Sequence, residues 1–212
     1  MKHMQAFVVS LVACGVVGIV APGRAHAQAV ADPAAGPKMW VGGHLGLSPI
    51  GSLKADAQGM STSTDPATAF ELGARFEYQV TPLISIGIAP AVLFGVKGKD
   101  ETDSASQLDL PLRVTAGSDL APRIRIYGFA APGYSIRFPP SRGTGDTPHP
   151  SGWMIGFGGG VGYRIAPKLT LASELGYQFR FLSMTEDVLG NPVDVSSQDN
   201  FLTFSVAATA GF

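Results

Sequence analysis

Twelve charged side chains fall on one row of an alternating pattern: Glu71, Arg75, Glu77, Asp109, Arg113, Arg123, Arg125, Arg137, Arg164, Lys168, Glu174 and Arg180. If that row faces an interior, its chemistry is ion pairing, because a buried charge without a partner costs several kcal/mol. Counting residues from the tight turns puts Arg123, Arg164 and Lys168 at one mouth and Arg137 and Arg180 near the other. Arg75, Asp109, Arg113 and Glu174 remain at mid-depth and form the predicted ion-pair network.

The other constellations carry less chemistry. His149-Pro150-Ser151 offers a base near a nucleophile, but a nucleophile needs its base within about 3 Å and an orienting carboxylate behind it. Glu174 points to the charged row and Glu186 lies on the next long connection. Glu186, Asp187, Asp194 and Asp199 read as a solvated acidic loop without metal-ligand spacing, and His44 as a hydrogen-bonding group of the interior. The Gly-x-Gly run over Gly156–Gly162 continues a strand and precedes no helix, so it lacks the context of a phosphate loop. No cofactor or metal is expected.

The elements that position these groups are long strands. From Gly152 to Phe181 two alternating runs face each other across an Ala166-Pro167 turn, and Trp153, Ile155, Phe157, Val161, Tyr163 and Ile165 occupy every second position of the first. Strict period two means a strand whose side chains alternate between faces. Eight such runs follow one another: Met39–Ser48, Phe70–Val80, Ile84–Gly95, Leu108–Thr115, Arg123–Phe138, Gly152–Ile165, Lys168–Phe181 and Leu202–Phe212. Short turns at Thr81-Pro82, Ala121-Pro122 and Ala166-Pro167 alternate with longer polar connections at about 51–66, 97–106, 139–151 and 185–200. Pro90, Pro111 and Pro132 interrupt strand centres and are expected to mark bulges. The glycine row of the sixth strand is expected to leave interior room for arginines of neighbouring strands.

Composition limits the address. The chain has 212 residues, of which 15% are charged and 27 are Gly; average soluble domains carry roughly 25% charged residues and about 7% Gly. A net charge of −1 gives no nucleic-acid footprint. Lys2, the apolar stretch Ala6–Val20 and Ala25-His26-Ala27 predict a signal peptide over 1–27, followed by a flexible leader over 28–37 and a barrel over 38–212. The alternative is a lipobox at Leu11–Cys14 with acylated Cys14. Cleavage after Ala27 removes the single cysteine, and with it disulfide and thiol chemistry.

Eight antiparallel strands suit either a soluble lipocalin-like barrel with its apolar face inward or an outer-membrane barrel with that face outward. The polar row is rich in Gly, Ala, Ser and Arg and poor in Lys, as a crowded interior requires. Outward aromatics gather at both strand ends: Tyr78, Tyr163 and Phe212 near the short turns, and Phe70, Phe94, Tyr134, Phe138, Trp153, Phe179 and Phe181 near the long loops. Such girdles, with short periplasmic turns and long outer loops, belong to the membrane class. The predicted fold is all-β: an eight-stranded antiparallel up-and-down transmembrane β-barrel.

The signal sequence, the GYRIAPKLTLASELGYQF hairpin and the terminal FSVAATAGF resemble the small outer-membrane β-barrels of bacteria, the opacity-protein-like and outer-membrane-protein-A-like transmembrane domains. The resemblance implies that the last strand is read by the barrel-assembly machinery through Phe204, Val206, Ala210 and Phe212. It also implies outer-membrane lipids and lipopolysaccharide as surroundings, a monomer, no nucleic acid, and outer loops able to take an extracellular ligand. No peptidoglycan-binding domain is expected after Phe212. The expected role is non-enzymatic, in envelope integrity, adhesion or surface interaction. A narrow porin-like channel is the alternative, and a lipid A-modifying enzyme a further one, since His149-Pro150-Ser151 resembles the His-x-Ser of lipid A deacylases.

Overall fold

The computed structural model describes residues 38–57, 59–140, 149–188 and 191–212, so the predicted signal peptide, the leader and Cys14 lie outside the described residues. The strands are β1 (Met39–Ala57), β2 (Met60–Thr64), β3 (Ala69–Gln79), β4 (Ile84–Ile88), β5 (Ala91–Val96), β6 (Ala105–Ala121), β7 (Ile124–Phe138), β8 (Ser151–Ala166), β9 (Leu169–Val188) and β10 (Asn191–Gly211). β4 and β5 are two halves of one wall strand, and β2 pairs only with the outer part of β1. The remaining order closes on itself, because β1 pairs with β10 from Trp40↔Gly211 and with β3 from Met39↔Tyr78. The result is the expected antiparallel ring of eight.

Burial is inverted relative to a soluble barrel. Leu45, Leu72 and Val206 are 65%, 54% and 59% exposed, whereas Arg75, Asp109 and Arg180 are 4%, 2% and 0% exposed. An apolar outer band over a charged interior is what lipid demands, and it removes the lipocalin-like alternative. Trp153 and Phe181 stack at 4.1 Å on the outward face near the long-loop end. At the opposite end the turns are tight; Thr81 Oγ1 accepts hydrogen bonds from the amides of Leu83 (3.2 Å) and Ile84 (3.0 Å). The chain also closes there, with Lys38 N donating to Phe212 O at 3.1 Å.

Two expectations need correction. Pro90, Pro111 and Pro132 are not bulges: Ile88↔Leu112 and Ala91↔Asp109 keep one register across Pro90, and Pro111↔Gly133 and Val114↔Ala130 keep one register around Pro111. Proline lacks an N–H but keeps its carbonyl, and those carbonyls remain in the ladder: Pro90 O accepts from Ala74 N at 2.9 Å and Pro111 O from Ala89 N at 3.2 Å. The register shifts fall instead between Leu47 and Ile50, between Phe94 and Val96, between Asp119 and Ala121 and between Arg164 and Ala166. The second of these encloses Gly95, whose φ of 77° is the left-handed conformation of a bulge glycine.

The connections at 51–66 and 185–200 are largely strand. β1 and β2 form a hairpin from Leu53↔Thr64 to Ala57↔Met60, and β9 and β10 stay paired out to Asn191↔Val188. β9 and β10 have 20 and 21 residues, about twice the 9–11 that cross a bilayer. Their outer halves therefore stand above the membrane with β1 and β2 as a sheet. Thr and Val on these segments favour strand, but with both faces polar they show no amphipathic alternation.

Candidate functional site

The chemistry of this chain is concentrated in the lumen, in three charged layers. The first centres on Glu174 of β9. Arg75 of β3 donates to both its oxygens, Nη1–Oε1 at 2.8 Å and Nη2–Oε2 at 2.7 Å. Arg113 Nη2 of β6 and the Tyr127 hydroxyl of β7 donate to Oε1 at 2.7 and 2.5 Å, and Ser205 of β10 to Oε2 at 3.4 Å. One carboxylate thus ties five strands together. Glu77 completes the layer, 3.3 Å from Arg113 Nε and 3.8 Å from Arg75 Nε. Two arginines and two carboxylates make the layer neutral.

The second layer centres on Asp109, which accepts from Arg180 (Nη2–Oδ2 2.6 Å), Ser135 (2.7 Å) and Gln107 (3.2 Å). Arg180 also donates to Gln178. In the third, Arg137 pairs with Asp199 and donates to Gln107 Oε1 at 2.8 Å. Beside these layers His44 Nε2 pairs with Glu71 Oε1 at 2.8 Å, and Gln178 donates to Glu71 Oε2 at 3.3 Å. Leu93, Phe201, Ala69, Val96 and Ala105 form a buried apolar plug toward the outer end, and the Arg180 guanidinium lies 5.3 Å from the Phe201 ring. A cavity of about 50 Å³ separates the first two layers.

The glycine row of β8 explains how the first layer is held. A Cβ on Gly160 would lie 2.8 Å from the Tyr127 ring and hydroxyl, and one on Gly158 would lie 2.7 Å from Phe129 Cζ. The sequence led to the expectation that arginines would fill the space left by these glycines; it is filled instead by the two aromatics of β7, Tyr127 and Phe129. Tyr127 then reaches Glu174, and Phe129 lies 3.8 Å beneath the Arg113 guanidinium as a cation–π platform.

Of the predicted network, Arg75, Arg113 and Glu174 meet, while Asp109 belongs to the next layer with Arg180. Arg180 was expected near the outer mouth, but β9 continues eight residues past it to Val188 and leaves it wholly buried. Asp199 is likewise lumenal and not part of a solvated loop, because β10 begins at Asn191 and carries the inward row through Asp199, Phe201 and Thr203. Tyr127 and Phe129 continue the inward positions of Arg123 and Arg125, a signal present in the alternation but masked by their aromatic character.

The remaining sequence candidates sit on the outside. Phe204, Val206 and Phe212 are exposed on the outward row of β10. The His149 ring packs 5.1 Å from Phe138, and Ser151 Oγ pairs with the Tyr134 hydroxyl at 2.9 Å. Among the described residues no carboxylate forms an ion pair with His149, and no group of three His, Cys, Asp or Glu could hold a metal. Asp194 accepts from the Thr185 hydroxyl at 2.8 Å; the side chains of Glu186 and Asp187 lie outside the described residues.

A closed eight-stranded ring with an apolar exterior and a charged, plugged lumen is the structure of a known class. The chain is similar in fold to OprG of Pseudomonas aeruginosa (13% identity, 81% of this chain and 96% of that one, TM-score 0.57). It is similar to the neisserial surface protein NspA (13% identity, 82% and 97%, TM-score 0.54) and to the outer-membrane protein AlkL (16% identity, 84% and 91%, TM-score 0.55). Among curated proteins none matches the sequence. The family model of the outer membrane protein β-barrel domain matches residues 13–212, and the chain is a member of that family, a β-barrel of the bacterial outer membrane.

Proposed function

We propose that the protein is a non-enzymatic surface barrel, in which a sealed wall carries an extracellular β-arm built from the outer parts of β1, β2, β9 and β10. The observation that carries this is the occlusion of the lumen: three neutralised charge layers and the Leu93–Phe201 plug stand where a pore would need water. An eight-stranded ring is only wide enough for its side chains to fill it. The part left to carry recognition is then the arm, since binding segments sit at the surface of a rigid scaffold. Its surroundings are outer-membrane lipids and lipopolysaccharide, it acts as a monomer, and envelope integrity, adhesion or surface interaction is its role. The terminal row Phe204, Val206, Ala210 and Phe212 serves recognition by the assembly machinery during insertion.

The test replaces residues 54–63 by Asn-Gly, a two-residue hairpin turn, in cells that otherwise lack the protein. Heat-modifiable migration on gels should persist, while detergent resistance or adhesion supplied by the wild type should be lost. Full retention of those phenotypes by the shortened chain would refute the role of the arm. A stable conductance of the wild type in planar bilayers would instead favour the narrow-channel alternative.

A further inference from the structure

Beneath the Glu174 layer, at the short-turn end, the lumen widens into a cavity of about 450 Å³. That volume lies in the range of small-molecule sites, and the short turns place its mouth in the periplasm. Its wall carries Arg123, Arg125, Arg164, Asp119, Glu77 and Trp40. Every lumenal arginine above it has a carboxylate within 3.3 Å. The cavity arginines do not: Asp119 stands 4.0 Å from Arg125 and 3.7 Å from Arg164, half exposed and without a hydrogen bond to either. Arg123 has no carboxylate in pairing distance among the described residues, and Glu77 is engaged by Arg113 and by Ser85 at 3.0 Å. Three guanidiniums against one loosely held carboxylate leave an excess of two positive charges.

One of the three is also pre-set. Arg125 Nη2 donates to the carbonyls of Pro82 (3.1 Å), Leu83 (3.3 Å) and Gly117 (3.2 Å), which fixes the guanidinium while its other nitrogens make no hydrogen bond among the described residues. A concave site with one sign of charge focuses its field and concentrates counter-ions. Guanidinium forks match the oxygen geometry of phosphoryl groups and bind them bidentately. The closed ladders β1–β3 and β1–β10 leave lipid no passage through the wall, so a counter-charge reaches the cavity through its periplasmic mouth. We propose that this vestibule binds a water-soluble phosphorylated anion from the periplasm, held by Arg123, Arg125 and Arg164.

Trp40 lines the cavity and is one of two tryptophans in the chain, so Trp153→Phe makes it a sole reporter. In lipid nanodiscs at low salt, pyrophosphate should change Trp40 emission saturably. Adding R123Q/R164Q should raise the half-saturating concentration about ten-fold or more, and R164Q alone by less; heat-modifiable migration identifies folded protein. K54Q/K97Q, the same charge change on residues of the outer end, should leave binding unchanged. No saturable response, equal weakening by K54Q/K97Q, or tighter binding of citrate than of pyrophosphate would overturn the proposal.

Discussion

Glu174→Gln isolates the charge that organises the lumen. The substitution preserves shape and one acceptor oxygen but removes the carboxylate that Arg75 and Arg113 share at 2.7–2.8 Å. The layer of Arg75, Arg113, Glu77 and Glu174 goes from neutral to a net charge of +1. At an effective dielectric of about 20, unit charges about 4 Å apart interact by about 4 kcal/mol, and breaking a buried pair by removing one partner costs about 3–5 kcal/mol. Two arginines lose a partner, but Glu77 remains near both, so a destabilisation of about 3–5 kcal/mol is expected. Urea unfolding in lipid vesicles, followed by tryptophan emission and by heat-modifiable migration, measures it. Glu174→Gln/Arg113→Gln restores neutrality and should recover more than half of the loss. A single variant within about 0.5 kcal/mol of wild type, or a double variant worse than the single, would show that the layer is not held by charge pairing.

Three further outcomes follow from the same geometry. Gly160→Ala should destabilise by about 1–3 kcal/mol as overpacking, because its Cβ meets Tyr127 and Ser173 O at 2.8 Å; Gly156→Ala, whose nearest neighbours lie at 3.6 Å, should be close to neutral in the same vesicle assay. Wild type should show no stable single-channel conductance in planar bilayers, and Leu93→Ala/Phe201→Ala, which empties the buried plug but leaves the Glu174 and Asp109 layers in place, should stay closed as well. Pro111→Ala should leave heat-modifiable migration and stability nearly unchanged, since the ladder already runs through Pro111 without a shift; a register-setting bulge would instead make the substitution disruptive.

The ring was legible in the sequence because lipid and lumen impose opposite chemistry on alternate residues, as in Phe70, Leu72, Phe76 and Tyr78 against Glu71, Arg75 and Glu77. Depth was less legible. Once a strand leaves the bilayer, its outward row loses the need to be apolar, so β10 shows no amphipathic period over Asn191–Phe201 and Asp199 looked like loop. The same effect hid the length of β9 and moved Arg180 outward. Partner choice inside the lumen was not legible, because it depends on strand stagger: Arg75 reaches Glu174 across 99 residues only through the closure of β1 on β10 and β3. Tyr127 and Phe129 satisfied the alternation but not the expectation of a polar interior, and the glycines that seat them lie on the neighbouring strand.

Methyl relaxation in nanodiscs carrying a paramagnetic tag on the lipid tails tests the orientation of the two faces with one residue type. Leu72 and Leu175 are 54% and 46% exposed on the outward row, and Leu93 and Leu182 are 0% and 1% exposed in the interior. Strong broadening of the Leu72 and Leu175 methyls with Leu93 and Leu182 spared is the predicted result. The reverse pattern, or equal broadening of all four, would contradict a lipid-embedded ring around a sealed, charge-paired lumen.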